Sequence, residues 1–164
     1  TSLNKGKNTL MLEQEVSNVR SYIEIQQVMH DNSFDVDIDI SSDILKAESL
    51  NLILQPLVEN AIDHGIDLLT DRRGVITIRG SRCPYINTAN ENIDIVCLSV
   101  ADNGVGMDEN MCKSFLTAES KGYGARNVND RIRLFYGEEY HLEVKSIVGE
   151  GTTITIKFPV RMME

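Results

Sequence analysis

At 164 residues, 41% of them hydrophobic, the chain is long enough to bury a sizeable core without disulfide or metal staples, and it predicts a single domain over 1–164. A formal charge of −9 argues against nucleic acid as a partner, because phosphates demand a basic face; a small anion escorted by a metal ion and backbone amides stays allowed. Cys83, Cys97 and Cys112 form no CxxC pair and are expected as reduced thiols, and no apolar run approaches the roughly 20 residues that cross a bilayer.

Leu12, Val16, Val19 and Ile23 recur at helical spacing over 12–29, with Tyr22 and Ile25 widening the stripe and Glu13 and Glu15 favouring the positive helix start. Phe34, Val36, Ile38 and Ile40 then alternate with Asp35, Asp37 and Asp39, which predicts a strand with one buried face and one acidic, solvated face. From 50 to 65, Leu50, Ile53, Leu54, Leu57, Val58, Ala61 and Ile62 mark one face of a helix. Pro56 either kinks that helix or marks a fresh first turn. Val75–Arg82 and Ile93–Asp102 read as a hairpin joined by a polar loop around Pro84-Tyr85-Ile86-Asn87. Residues 103–124 are glycine-punctuated and of weak periodicity, a long loop of the functional or mobile kind. A helix over 125–136, with Val128, Ile132 and Phe135 on one face, stops at Gly137, and Leu142–Ile147 and Thr152–Phe158 close the chain as strands around Gly149-Glu150-Gly151. Strand parity puts Asp102 on the side of Val96, Leu98 and Val100, and Thr152 on the side of Ile154, Ile156 and Phe158. Asp102 and Thr152 are therefore expected at the helix-side edge of the core, where an unpartnered carboxylate is costly.

The candidate site grows from these positions. Asp102, in Asp102-Asn103-Gly104-Val105-Gly106-Met107, is either a turn aspartate bonding its own loop amides or an acceptor for an exocyclic amino group such as that of adenine. In the second reading Gly104 and Gly106 let backbone approach base and sugar. Gly122-Tyr123-Gly124, leading into Ala125-Arg126-Asn127-Val128, is either an ordinary loop feeding a helix or a phosphate cradle, with Lys121 and Arg126 adding charge and Asn127 in the same candidate set. Gly149, Gly151 and Thr152 alone read as a hairpin. Asn60 carries a neutral amide oxygen, a hard ligand suited to Mg²⁺ shared with phosphates, where a lone polar-face asparagine is otherwise solvated. His64 lies one turn on and lines the same pocket if it is not structural, while Glu59 is either a surface carboxylate or an anchor behind the site.

Taken in order, QPLVENAIDHG (55–65), DNGVGM (102–107), GYGARNVNDRI (122–132) and GEGTTITIKFP (149–159) resemble the ATP-binding domain of sensor histidine kinases, most closely the LytS/YesM-like branch, over nearly the whole chain. The resemblance implies a Bergerat-type α/β (α+β) two-layer sandwich: a mixed sheet with helices on one face and ATP between them under a lid. It implies Asn60 on Mg²⁺, Asp102 on the adenine amino group, Gly104 and Gly106 as the first glycine box, Gly122 and Gly124 as the second, and Thr152 near the base. It further implies transfer of the ATP γ-phosphoryl group to a histidine of dimerisation helices, a response-regulator receiver domain as partner, and a homodimeric, membrane-anchored bacterial sensor of which this is a cytoplasmic domain, monomeric in isolation. The alternative is an ATP-operated conformational switch or a catalytically degenerate nucleotide-binding scaffold. Departures from the pattern are Asp63, where relatives place lysine or a neutral residue; Ala125 for a leucine; Met29-His30 for arginine-phenylalanine; and Pro56, where related ATPases carry a water-activating carboxylate. His30, His64 and His141 lack the HFxxN-like context of a phosphoacceptor, so the acceptor is expected outside the chain.

Overall fold

The computed structural model describes residues 8–117 and 123–164, with Tyr123 described by its backbone alone. In chain order the elements are β1 (Thr9–Met11), α1 (Leu12–Met29), β2 (Phe34–Ile40), β3 (Glu48–Leu50), α2 (Leu54–His64), β4 (Gly74–Ile86), β5 (Asn92–Asp102), α3 (Glu109–Ser114), α4 (Tyr123–Tyr136), β6 (Glu143–Ile147) and β7 (Gly151–Pro159). Five strands form one mixed sheet in the order β2, β4, β5, β7, β6, with β2 parallel to β4 and the other neighbours antiparallel. β1 and β3 make a separate antiparallel ribbon. This is the expected α/β arrangement of helices packed on a mixed sheet.

Alternation along the strands decides which face is covered. Ile76 and Ile78 of β4, Val96, Leu98 and Val100 of β5, and Ile154, Ile156 and Phe158 of β7 are all buried, in one cluster with Val16, Val19 and Ile23 of α1, Leu57, Val58, Ala61 and Ile62 of α2, and Val128 and Ile132 of α4. Tyr136, at the end of α4, stacks on Phe158 with ring centroids 5.1 Å apart. Asp35 and Asp37 turn to the opposite face and pair with Arg73 and Arg79, as the acidic alternation requires.

Three boundaries differ from the sequence reading. The helical spacing from Leu50 runs across a break: Leu50 is buried in β3, and the helix starts only at Leu54. Pro56 thus sits in the first turn, where a missing N–H costs nothing. β4 continues through Pro84, Tyr85 and Ile86 instead of looping there, because β2 ends opposite Gly80 and leaves that stretch of β4 with an open side that needs no donor. The loop after Asp102 holds a short helix, α3, capped by Asp108, whose carboxylate accepts from Met111 N.

Glu15 does not serve the start of its own helix. Its side chain is buried, 2% exposed, and its carboxylate accepts from Leu52 N (3.0 Å), Ile53 N (2.8 Å) and Leu54 N (3.0 Å), capping α2. Leu52 takes a left-handed φ of 55° to present these groups, and Arg131 of α4 donates to the Asn51 and Leu52 carbonyls of the same turn. The first turn of α2 is thus held from α1 on one side and α4 on the other. Replacing Glu15 with Ala strands two buried donors and a part-buried one and is expected to lower stability by about 2–4 kcal/mol in urea unfolding, with Glu15→Gln losing less because one acceptor survives; equal midpoints for all three proteins contradict the capping role.

Candidate functional site

β5 is the central strand, and it ends in Asp102, paired with Ile76 of β4 on one side and Thr152 of β7 on the other. The Asp102 carboxylate accepts from Gly104 N at 2.8 Å. It is wedged into a corner that only glycines leave open: a Cβ at Gly65 would lie 2.7 Å from Asp102 Oδ1, and one at Gly104 would lie 2.3 Å from the Gly65 Cα. The end of α2 therefore touches the end of β5 backbone to backbone. Burial pushes the Asp102 carboxyl up from 3.8 to about 6, against the backbone N–H groups of Gly104 and Thr152, which favour the ionised form.

The turn between β6 and β7 seats on the same loop. Gly151, at φ 129°, lies so close to Asp102 that a Cβ there would meet the Asp102 carbonyl, and Gly149 N donates to Val105 O at 2.8 Å. Ser146 Oγ lies 2.7 Å from Thr152 Oγ1 and accepts from Met107 N at 2.7 Å, so the Thr152 hydroxyl is tied to the residue after Gly106. Gly106 itself packs on the Ile147 carbonyl, so its missing side chain makes room for protein backbone. Asp102, Lys145, Ser146, Ile147, Gly151 and Thr152 border a hollow of about 230 Å³ at these strand ends.

α2 carries the rest. Pro56, Asn60 and His64 recur every four residues along one face. Gly124, at the start of α4, packs on Pro56, where a Cβ would lie 3.1 Å from the Pro56 Cβ. Asn60 sits midway between that contact and Gly65; its Oδ1 is buried and has no hydrogen-bond partner among the described residues. His64 and Asn127 are exposed, Arg126 is half-buried, and Thr152 is 8% exposed. Ala125 is buried in the core, so the small residue there serves packing under α4. Lys121 and Gly122 lie outside the described residues. Glu59 and Asp63, one turn apart, act on Tyr22 of α1, whose hydroxyl is pushed up to about 12 by burial first and by these carboxylates second. Among the described residues no group of three or more histidine, cysteine, aspartate and glutamate side chains is placed to hold a metal.

The structure thus brings Asp102, Gly104 and Thr152 together at one end of the sheet against Gly65, while Asn60 and Gly124 lie back along α2, which runs about 13 Å from Pro56 to Gly65. Sequence reasoning missed Gly65, Asn103, Ser146 and Arg72. Asn103 Oδ1 accepts from Val75 N at 2.7 Å and its Nδ2 donates to Arg73 O at 3.0 Å, fastening the loop to the start of β4. Gly65 had a signal in the sequence, as the residue closing an asparagine-bearing helix; the others act across long separations that leave no local pattern.

Residues 45–162 match the family of histidine kinase-, DNA gyrase B- and HSP90-like ATPases. The chain is 31% identical over 160 residues to the sensor histidine kinase YesM of Bacillus subtilis, covering 98% of this chain and 26% of that protein. It is 31% identical over 163 residues to the sensor protein LytS of Oceanobacillus iheyensis, covering 95% of this chain and 26% of that protein. The chain therefore spans about a quarter of the length of these curated relatives. In fold it is similar to the catalytic domain of histidine kinase ThkA, with a TM-score of 0.65 at 14% identity over 92% of this chain and 94% of that one. A histidine kinase domain from the blue-light activated kinase of Erythrobacter litoralis EL346 gives a TM-score of 0.61 at 18% identity, over 92% of this chain and 62% of that one.

The raised Asp102 carboxyl has a consequence for the ligand-free protein. The folded state holds this proton more tightly than the unfolded chain, so stability falls as pH rises from about 4 to about 6. Asp102→Asn is expected to raise stability at pH 7 by on the order of 1–2 kcal/mol, with a smaller gain at pH 4, in urea unfolding without nucleotide. A loss of stability at pH 7 would show that the carboxylate is a structural anchor instead.

Proposed function

The chain belongs to the histidine kinase-, DNA gyrase B- and HSP90-like ATPase family as an ATP-binding domain of the sensor histidine kinase type, and on that premise we propose that it transfers the γ-phosphoryl group of Mg-ATP to a histidine of dimerisation helices outside these 164 residues. The observation that carries the reading is the alignment of two polar groups along α2: the half-buried Asp102 carboxylate against its end, and one turn and a half before it the Asn60 Oδ1, which is buried and has no partner among the described residues. Asp102 accepts the adenine amino group, and Thr152, held by Ser146, lies beside the base. Gly104 keeps the floor of this slot at backbone height. The phosphates run along the Asn60 face toward the start of α4, where Gly124, Arg126 and Asn127, with Lys121 and Gly122 before them, offer helix N–H groups and positive charge. His64 borders the same face from its exposed position.

Asn60 fits Mg²⁺ by chemistry, because a neutral buried oxygen without a donor is a hard ligand that adds no negative charge beside phosphates. When bound, the ion supplies charge neutralisation for the phosphoryl group. The chain's own residues bind, orient and exclude water, which is most of what phosphoryl transfer asks of a protein. The partners follow from this reading: the phosphoacceptor helices, a response-regulator receiver domain, and a homodimeric, membrane-anchored sensor whose cytoplasmic side carries this part. Among the described residues no helix is long and apolar enough to cross a membrane.

Calorimetry at pH 7.5 is expected to show Asp102→Asn weakening ATP binding by about 1–3 kcal/mol, the cost of mispairing a buried polar group. In the wild type, affinity also falls as pH drops through about 6, since only the ionised carboxylate is a pure acceptor, and the variant lacks this dependence. Asn60→Ala is expected to erase the difference in ATP affinity between Mg²⁺ and EDTA, a difference of about tenfold or more in the wild type. Incubation with γ-labelled ATP and a separate polypeptide carrying the acceptor helices of a relative tests transfer directly. Label on histidine supports the kinase; ATP-dependent dimerisation without label, or binding alone, moves the reading to a switch or a scaffold.

A further inference from the structure

The segment Asp71-Arg72-Arg73 reads in sequence as a turn and nothing more. In the structure the Arg72 guanidinium closes on three backbone carbonyls from two distant segments. Its Nε and Nη2 donate to Asn103 O at 3.0 and 2.7 Å, and Nη2 also donates to Gly104 O at 3.0 Å and Gly149 O at 2.8 Å. Nη1 donates to both carboxylate oxygens of Asp71, at 3.1 and 3.0 Å, which orients the fork. The planar, multiply donating guanidinium is the side chain suited to this task; an ammonium presents one compact point of charge and cannot span the same acceptors.

The two segments it joins carry the two sides of the adenine edge. Asn103 and Gly104 follow Asp102 directly, and Gly149 lies three residues before Thr152. Asp102 and Thr152 face each other as the last register partners of β5 and β7, so strand pairing holds the pair on one side only, and the segments beyond it, the loop after Asp102 and the turn before Thr152, are joined by other contacts. Gly149 N donating to Val105 O is the one backbone-to-backbone bond across this joint that the described residues hold beyond the ladder; Ser146 Oγ, accepting from Met107 N, ties the loop to β6, and Arg72 ties it to Gly149.

We propose that Arg72 is the positioning residue of the base-recognising edge, clasping the loop after Asp102 to the turn before Thr152 and thereby setting discrimination between amino- and keto-purine nucleotides. The proposal rests on the reading of Asp102 as the acceptor for the adenine amino group. Arg72 touches neither side chain. It fixes the backbone on which both stand, and a displacement of an ångström at such a pair costs selectivity more than it costs general affinity for a triphosphate.

The test is calorimetric titration of the 164-residue protein with ATP and with inosine triphosphate, which carries a carbonyl in place of the amino group. Wild type is expected to favour ATP by about tenfold or more. Arg72→Ala is expected to bring that ratio near one, mainly by weakening ATP, and Arg72→Lys to fall between. Arg79→Ala, which breaks an ion pair with Asp37 on the far face of the sheet, is expected to keep the wild-type ratio and controls for lost surface charge. Circular dichroism establishes that each protein is folded, and Arg72→Gln carries the test if Arg72→Ala is not. A ratio unchanged in the folded Arg72 variants overturns the clasp while leaving Asp102 in place. No discrimination in the wild type overturns both, and since Asp102→Asn is titrated in parallel, the two failures are told apart.

Discussion

Gly65 and Gly104 meet with nothing between them but backbone, and the Asp102 carboxylate fills the corner they leave. This contact fixes where helix α2 ends relative to the central strand, and therefore where everything on α2 stands relative to the sheet. A methyl group at Gly104 would have to occupy space held by the Gly65 main chain, and one at Gly65 space held by the Ala61 carbonyl and the Asp102 carboxylate, which packed interiors do not yield cheaply. The opposite end of α2 is set independently, by the Glu15 carboxylate from α1 and the Arg131 guanidinium from α4. A helix pinned at both ends has no freedom to slide, so the distance from Asn60 to the Asp102 corner is a property of the fold and not of a side-chain rotamer. That is the arrangement a site needs when it recognises both ends of an extended ligand.

Charge is distributed in a way that a count of residues conceals. A chain of net charge −9 is a poor host for a polyanion on its face, yet much of that negative charge is locally offset. Asp35 and Asp37 pair with Arg73 and Arg79 on the uncovered side of the sheet, and Glu143 with Lys157. Glu15 is surrounded by amide donors. Arg72 and Arg131 are committed to backbone carbonyls, so in the proposed reading the phosphate end relies on helix N–H groups, Lys121, Arg126 and a bound cation.

How much of this was legible depends on whether a residue's partner is near it in sequence. Period alone placed α1 over its full length and β2 to the residue, because their buried faces are built from neighbours at fixed offsets. Strand parity placed Asp102 and Thr152 on the helix side of the sheet at strand ends, since both lie an even number of residues from buried neighbours, and the register then sets them opposite each other. The same logic failed at Leu50, whose burial in β3 happens to continue the spacing of α2, and at Pro84, which looks like a strand breaker until β2 is seen to stop short of it. Glu15, Arg72 and Ser146 were invisible as functional supports. Glu15 acts on residues 37 to 39 positions away and Arg72 on one 77 away, and charged residues in an amphipathic helix or a turn look solvated by every local rule.

Both groups that define the proposed site are held at a cost in the ligand-free protein. Asp102 is held in a corner where burial works against its charge, and Asn60 buries an acceptor that no donor among the described residues meets, at a cost that apolar residues of similar shape would avoid. Such arrangements persist when something else meets the deficit, and the surrounding structure here is built to keep both groups in place instead of letting them relax: glycines deny Asp102 an escape toward α2, Ser146 fixes its register partner, and Glu15 holds the helix on which Asn60 rides. In the proposed reading a purine amino group meets the deficit at Asp102 and a metal-bound triphosphate the one at Asn60. Because α2 spans both, a ligand must be long enough to reach from one to the other to recover the whole of the cost, which favours the nucleoside triphosphate over either of its halves.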